Sequence, residues 1–193
     1  AIDNLSFFAS LYDIPKGDLA SRMDWALDFV GLKDRADDRV SGFSGGMKRR
    51  LNLAASLLHD PDFIFMDEPT AGVDPQSRNK LFDNVLELKE LGKTIIYTTH
   101  YMEEAQKLCD QVGIIDHGQL LALGTVGELL NQHGGETQIS INSDQGVKEF
   151  KSSDVSNDLI QALQASNKVH DISVNRPDLE AVFLNLTGRQ LRD

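Results

Sequence analysis

The sequence predicts an α/β protein in which helices alternate with the strands of a parallel sheet. Short apolar runs at residues 63–66, 94–98 and 112–115 predict strands, and the first two are expected to be buried on both faces. Helical periodicity at residues 75–91 and 102–109 places one helix between each pair of successive strands. Strands that alternate with helices indicate parallel pairing with crossover connections.

The chain before the first strand is predicted to be helical. Apolar residues recur at helical spacing over residues 2–12 and again over residues 19–30. A polar, loop-like segment at residues 33–43 follows, and a third helix begins at Ser44. We therefore expect a helical subdomain at about residues 1–58.

A pair of glycines, Gly134 and Gly135, predicts a boundary between two domains. The elements predicted beyond it are strands at residues 138–142, 147–151 and 169–174 and helices near residues 159–163 and 178–186. We therefore assign residues 1–134 to the first domain. Residues 135–193 are expected to form a small α+β appendage.

Composition and charge exclude some classes of function. The formal net charge of −11 argues against nucleic-acid binding, because a nucleic-acid binder needs basic side chains to neutralise phosphates. No apolar run approaches the ~18–20 residues of a membrane-spanning helix, so we expect no direct membrane span. The single cysteine, Cys109, is interpreted as a small core residue in a reducing compartment.

Two adjacent carboxylates, Asp67 and Glu68, end the apolar run at residues 63–66. Ligands bind at the carboxyl ends of the strands in open parallel sheets. Adjacent side chains leave a strand in opposite directions, so one carboxylate can hold the water shell of Mg²⁺ while the other contacts an attacking water. The alternative is a pair of solvated acids in a turn.

The third predicted helix begins with Ser44, Gly45 and Gly46. Backbone N–H groups and the positive end of the helix dipole point outward at such a helix start, and glycines let a phosphate approach closely. The sequence therefore predicts an anion site. The alternative is a plain N-cap, because serine is a common capping residue.

His100 follows the second predicted strand, at residues 94–98. An imidazole at this edge can donate a hydrogen bond to a phosphate, and the alternative is a histidine that only packs within the fold. The other histidines lack metal-ligand spacing and are interpreted as structural: His59, His117, His133 and His170.

The motifs occur along the chain in a fixed order: SGGMKRR at residues 44–50, the strand ending in Asp67 and Glu68, Gly72 with Asp74, and His100. This order resembles the fingerprint of the ATP-binding subunits of ABC transporters over about residues 5–130. Phe43 and Met47 depart from the LSGGQ form of the signature, as they do in the drug- and lipid-export branch. Residues 177–193 resemble the C-terminal tail of the daunorubicin-resistance-like members of that branch.

The resemblance implies a partial P-loop NTPase fold and an ATPase site that uses ATP and Mg²⁺. Asp67 is expected to support the Mg²⁺. Glu68 is expected to polarise the attacking water, and His100 to contact the γ-phosphate.

The resemblance also implies a head-to-tail pair with a second ATPase subunit. Ser44, Gly45 and Gly46, with Met47, are expected to contact the ATP bound to that subunit. Asp74 is expected to lie in the loop that communicates across the pair. The helical subdomain is expected to dock on a separate membrane permease, which places the protein at the cytoplasmic face of the cell membrane in a transporter of the export type.

The phosphate-binding loop, of the form G-x-x-x-x-G-K-[ST], does not occur in the 193 residues. The one Gly-Lys pair is Gly92 with Lys93, which opens a strand instead of a helix. We expect N-terminal truncation, and the alternative is natural loss in an inactive relative. The resemblance places the strand that precedes this loop beside residues 94–98, so we expect an open sheet edge there.

Other functions remain open at this point. A chain without the phosphate-binding loop is compatible with a non-catalytic protein that donates only the signature half of a site. An ABC-type ATPase with a role outside transport, such as DNA repair, normally carries a long coiled coil, and this sequence has none.

The 193-residue chain alone is predicted not to hydrolyse ATP, because the β- and γ-phosphates lose most of their hydrogen-bond donors without the loop and its lysine. The measurement is Mg²⁺-dependent phosphate release by the purified chain. Activity that the Glu68→Gln substitution abolishes would contradict the prediction.

Overall fold

The computed structural model describes residues 1–166 and 168–188, in two units that meet in sequence between His100 and Tyr101. The first unit contains α1 (Ile2–Ala9), α2 (Leu19–Phe29), α3 (Gly45–Leu57), β1 (Phe63–Asp67), α4 (Pro75–Glu90) and β2 (Thr94–Thr98). The segment between α2 and α3, predicted to be a loop, forms two short 3-10 turns at Lys33–Arg35 and Val40–Gly42. The other predicted elements of this unit are confirmed, with small shifts at their ends.

The three helices before β1 pack on one another around a core of aliphatic side chains. Leu5 of α1, Leu27 of α2 and Leu57 of α3 are almost completely buried. Arg22 of α2 donates from Nε to the carbonyl of Leu58 at 3.0 Å and from Nη2 to that of Leu57 at 3.2 Å. Because the last carbonyls of a helix lack partners within the helix, these bonds hold α2 against the end of α3.

β1 and β2 pair in parallel, as predicted, with α4 as the crossover connection. Asp74 is the N-cap of α4 and Pro75 is its first residue, which is the favoured arrangement at a helix start. Gly92, with φ +80°, follows the end of α4 and turns the chain into β2. The parallel register sets Asp67 opposite Thr98, so both strands end at the same edge.

The prediction that these two strands are buried on both faces is wrong. Ile64 and Met66 of β1 are buried, but Phe65 is 76% exposed and its cross-strand partner Ile96 is 49% exposed. A continuous apolar run shows that both faces are apolar, but it does not show which residues cover each face. The outer edge of β2 also has no partner strand in the part of the chain that the structure describes.

The second unit begins with α5 (Met102–Leu108), β3 (Val112–Asp116), β4 (Gln119–Gly124) and α6 (Val126–His133). The third predicted strand is confirmed, but its expected parallel pairing is wrong, because β3 pairs antiparallel with β4. His117 and Gly118 both have positive φ, 48° and 74°. Two such residues form the tight turn that returns a strand directly beside its predecessor.

The remaining elements are β5 (Thr137–Ser143), β6 (Gly146–Ser152), α7 (Val155–Gln164), β7 (Val169–Asn175) and α8 (Leu179–Thr187). The strands form an antiparallel sheet in the order β6-β5-β7, and Ile139 and Ile141 of β5 are buried with Ala162 of α7. This sheet begins just after Gly135, where the sequence predicts a boundary.

The last helix, α8, belongs to a different core from that sheet. Its residues Leu179 and Val182 are buried with Leu129 of α6 and with Val112 and Ile114 of β3. Thr125 and Glu128 form a capping box at the start of α6. The final residues of the predicted C-terminal tail, 189–193, lie outside the described residues. The division into domains at residues 1–134 and 135–193 stays a prediction.

No helix in the described residues combines the length and apolarity that crossing a membrane requires.

The exposed face of β1 and β2 predicts self-association of the chain, because an exposed apolar patch beside an open strand edge favours intermolecular pairing. Phe65→Thr removes the most exposed apolar side chain of this face and keeps a residue that favours strands. We expect a larger monomer fraction by sedimentation velocity. Leu11→Thr, at a side chain that is 66% exposed outside the sheet, is the matched control. A wild-type chain that stays monomeric and melts reversibly would contradict the prediction.

Candidate functional site

The polar side chains at the carboxyl ends of β1 and β2 form one cluster. The hydroxyl of Thr98 donates to Oδ1 of Asp67 at 2.5 Å. The backbone N–H of Glu68 donates to the carbonyl of Thr98 at 3.1 Å, and its distance to Thr98 Oγ1 is 3.2 Å. Parallel register brings these residues together although they are about thirty positions apart in sequence.

Glu68 has a left-handed backbone, with φ +41°. This conformation is uncommon for a residue with a side chain and occurs often at functional sites. The Oε1 atom of Glu68 lies 3.2 Å from Nδ1 of His100. The two side chains are 48% and 46% exposed, so the pair is open to a ligand. The structure thus brings together the two residues predicted to be catalytic.

Asp67 suits a hydrated Mg²⁺ better than a fully caged metal. Its carboxylate lies beside the hydroxyl of Thr98, and both side chains are exposed. Among the described residues, no three or more His, Cys, Asp or Glu side chains are grouped so that they could hold a metal ion. Mg²⁺ typically keeps several waters and takes one or two carboxylates with substrate phosphates. The residues present fit that mode of binding.

The start of α3 has the form that the sequence predicts for an anion site. Ser44 is the N-cap, and its Oγ accepts a hydrogen bond from the N–H of Met47 at 3.2 Å. This bond is the plain capping interaction, and it leaves the first N–H groups of the helix without partners within the helix. Ser44 and Gly45 are exposed, while Gly46 is buried. The side chain of Met47 lines a cavity with Phe43.

The two glycines of this segment have different surroundings. A Cβ atom added to Gly45 would meet no atom within 4 Å. A Cβ atom added to Gly46 would overlap the side chain of Ser77 and would lie 3.3 Å from Oδ2 of Asp74. Gly46 is therefore required by the contact between α3 and α4, whereas no atom of the described residues stands in the way of a side chain at Gly45.

Asp74 has a local structural role at the start of α4. Its Oδ1 accepts a hydrogen bond from the N–H of Ser77 at 2.9 Å. This backbone hydrogen bond holds the pKa of the Asp74 carboxyl below its ordinary value of 3.8, so the cap is ionised at neutral pH. The structure thus sets Asp74 beside the signature segment, through Gly46.

Three further residues were not predicted as parts of the site: Thr98, Ser77 and Arg49. Thr98 became apparent only through the strand register, which composition and periodicity do not supply. Ser77 stands three residues after Asp74, and this spacing is a recognisable sign of a capped helix start. Arg49 lies in a basic run, and its side chain binds backbone carbonyls at residues 67–69.

Comparison with known proteins identifies relatives across the whole chain. A family model described as ABC transporter matches residues 3–71. The linearmycin resistance ATP-binding protein LnrL of Bacillus subtilis is 41% identical over 221 residues, covering 100% of this chain and 71% of that protein. The Nod factor export ATP-binding protein I of Ralstonia nicotianae is 36% identical, covering 99% of this chain and 67% of that protein. The daunorubicin resistance ATP-binding protein DrrA3 of Streptomyces coeruleorubidus is 34% identical, covering 98% of this chain and 68% of that protein.

A solved structure has the same fold. CbiO1 from Clostridium perfringens, described as part of the ABC transporter complex CbiONQ, superposes with a TM-score of 0.60 at 32% identity. The match covers 66% of this chain and 51% of that one, so the matched region spans about half the length of the solved structure.

Gly46→Ala is predicted to destabilise the first unit by about 1–3 kcal/mol, because α3 must move away from Ser77 to accept the new methyl group. Gly45→Ala is the matched control, since its methyl group enters open space. We expect the control to leave stability unchanged or to raise it by up to about 1 kcal/mol, as alanine favours helices. Urea unfolding at low protein concentration measures the free energy of unfolding of both variants. Equal stabilities of the two variants would contradict the prediction.

Proposed function

The chain belongs to the family of ABC transporter ATP-binding proteins, and from this premise we propose that it binds ATP with Mg²⁺ and couples ATP hydrolysis to export through a separate membrane permease. The observation that carries the proposal is the contact between Glu68 and His100 at the edge of the parallel sheet. Export is supported by the names of the relatives, which refer to Nod factor export and to resistance against linearmycin and daunorubicin.

Glu68 is proposed to act on the attacking water. Its carboxylate is exposed at the sheet edge, where it can orient a water molecule and accept its proton. His100 holds this carboxylate through the contact of 3.2 Å between Nδ1 and Oε1. We propose that the exposed imidazole of His100 donates a hydrogen bond to a phosphate oxygen when ATP is bound.

Asp67 is proposed to support the Mg²⁺, and the hydroxyl of Thr98 holds one of its carboxylate oxygens. The second carboxylate oxygen would accept hydrogen bonds from the metal's water shell. When bound, Mg²⁺ neutralises negative charge that develops on the phosphate oxygens. Asp67 and Glu68 therefore have separate tasks although they are adjacent in sequence.

The start of α3 is proposed to contact ATP bound to a second ATPase subunit in a head-to-tail pair. The exposed backbone at Gly45 and the missing side chain there suit close approach by a phosphate. Asp74 lies beside Gly46 and is proposed to reach the same interface. The helical subdomain would dock on the permease, which places the protein at the cytoplasmic face of the membrane.

A second candidate function is donation of the signature half-site alone. The observation that favours it is the exposed start of α3, where Ser44 and Gly45 lie open to a partner. Mixing the chain with an intact subunit whose own signature is substituted tests this function. Restored ATP hydrolysis supports a donor role, and unchanged inactivity argues against it.

Glu68→Gln in the full-length protein, assembled with its permease, is predicted to lower kcat for ATP hydrolysis by about 100-fold or more. The amide cannot accept a proton from water, but it keeps the size of the side chain, so ATP binding is expected to remain. Phosphate release and binding of a fluorescent ATP analogue measure the two effects.

Glu90→Gln is the matched control for this prediction. It removes the same charge from an exposed position at the end of α4, outside the candidate site. We expect wild-type kcat for this variant. Equal activities of the Glu68 and Glu90 variants would overturn the role proposed for Glu68.

A further inference from the structure

The side chain of Arg49 connects α3 with the loop that carries Glu68. Its Nε donates to the carbonyl of Pro69 at 2.8 Å. Its Nη2 donates to the carbonyl of Glu68 at 2.5 Å and approaches that of Asp67 at 3.4 Å. One guanidinium therefore binds the main chain at three successive positions. Two of these positions are the residues proposed to act on Mg²⁺ and water.

This arrangement requires the shape of arginine. The guanidinium is planar and presents several N–H donors in a fixed fork, whereas the ammonium of lysine is a single charged point. Hydrogen bonds from a charged donor are also shorter and stronger than those between neutral groups. The contact therefore fixes both the position and the orientation of the backbone at Glu68.

The same helix also holds the far end of this loop. Gly46 packs against Ser77 and Asp74 at the start of α4 with no room for a side chain. Between the two contacts the loop is stabilised by its own hydrogen bonds. The N–H of Ala71 donates to the carbonyl of Glu68 at 3.2 Å, and the N–H of Val73 donates to the carbonyl of Thr70 at 3.1 Å. α3 thus contacts both ends of residues 67–74.

The left-handed backbone of Glu68 makes this support important. A residue with a side chain and φ +41° persists only where the surrounding structure enforces that conformation. The Glu68 N–H is held by the carbonyl of Thr98, and the Glu68 carbonyl is held by Arg49 and by the N–H of Ala71. Without Arg49, the carbonyl side of this peptide loses its one charged donor.

We propose that Arg49 is a positioning residue, which makes α3 and the Glu68 loop move as one body. The inference rests on the proposed function, because it assigns Glu68 to water and the start of α3 to a second subunit's ATP. A displacement of the signature segment on ligand binding then changes the orientation of Glu68 in the same chain. Each chain would thereby couple its own ATP site, to which it contributes Glu68, with the ATP site of the second subunit, to which it contributes the start of α3.

The first test is hydrogen–deuterium exchange of the full-length protein with Arg49→Gln. We expect the amides of Glu68 and of residues 70–73 to exchange about tenfold faster, while the amides of α2 keep their wild-type rates. Lys48→Gln removes the same charge from an exposed neighbour on α3 and is the matched control. Arg49→Lys, which keeps the charge and most of the stem, is expected to give an intermediate increase. Wild-type rates in the loop, or an equal increase throughout the first unit, would overturn the proposal.

The second test measures ATP hydrolysis by the same variants in the assembled transporter. We expect Arg49→Gln to lower kcat by about 10-fold to 100-fold, since small displacements of a reacting group have effects of this size, and to change KM by less than about threefold. A raised KM with unchanged kcat would contradict a role through Glu68. If the wild type itself does not hydrolyse ATP, the proposed function fails, and the exchange rates still decide the role of Arg49.

Discussion

The parallel pairing of β1 with β2 is the constraint on which every candidate catalytic side chain depends. Two strands that run in the same direction end at the same edge, so Glu68, just after β1, meets His100, just after β2. The register is equally important, because a shift by one residue moves a side chain by about 3.3 Å along the strand and to the opposite face. In the observed register, Thr98 lies opposite Asp67 and donates to it.

α3 is the second constraint, and its two adjacent arginines act in opposite directions. Arg49 binds the loop after β1, while Nη1 of Arg50 donates to the carbonyl of Val30 at 2.8 Å, at the end of α2. Partial burial of the Arg50 guanidinium lowers its pKa. The basic run of α3 therefore ties the helical part of the first unit to its sheet.

Much of the fold and the site was predictable because it depends on local sequence. α4 begins at Pro75 and ends before Gly92, and α6 begins after Thr125. These helix ends are set by interactions between residues close in sequence. Glu68 and His100 were predicted because they follow two parallel strands and occur in the motif order that resembles ABC ATPases. The burial of β1 and the partner of β3 were predicted wrongly because they depend on which elements lie beside them. Periodicity does not contain that information.

The unpredicted parts of the site share one physical cause. Arg49 binds backbone carbonyls, and every residue has such a carbonyl, so no sequence pattern marks its partners. The requirement for glycine at position 46 arises from Ser77, which is thirty-one positions away and touches it only after α3 and α4 pack. Of the two adjacent glycines in this motif, packing within the first unit therefore accounts for Gly46 and not for Gly45.

The packing of α8 determines how the C-terminal sheet is connected to the neighbouring core. The chain leaves one core after α6, forms β5, β6, α7 and β7, and returns to the same core as α8. The segment where the chain leaves this core lies beside the segment where it returns. Nδ2 of Asn185 donates to the carbonyl of His133 at 2.8 Å, and a methyl group on Gly134 would lie 3.1 Å from Pro177. The sheet is therefore a nested insertion with neighbouring ends. The sheet therefore interrupts the chain between α6 and α8 without separating these two helices in space.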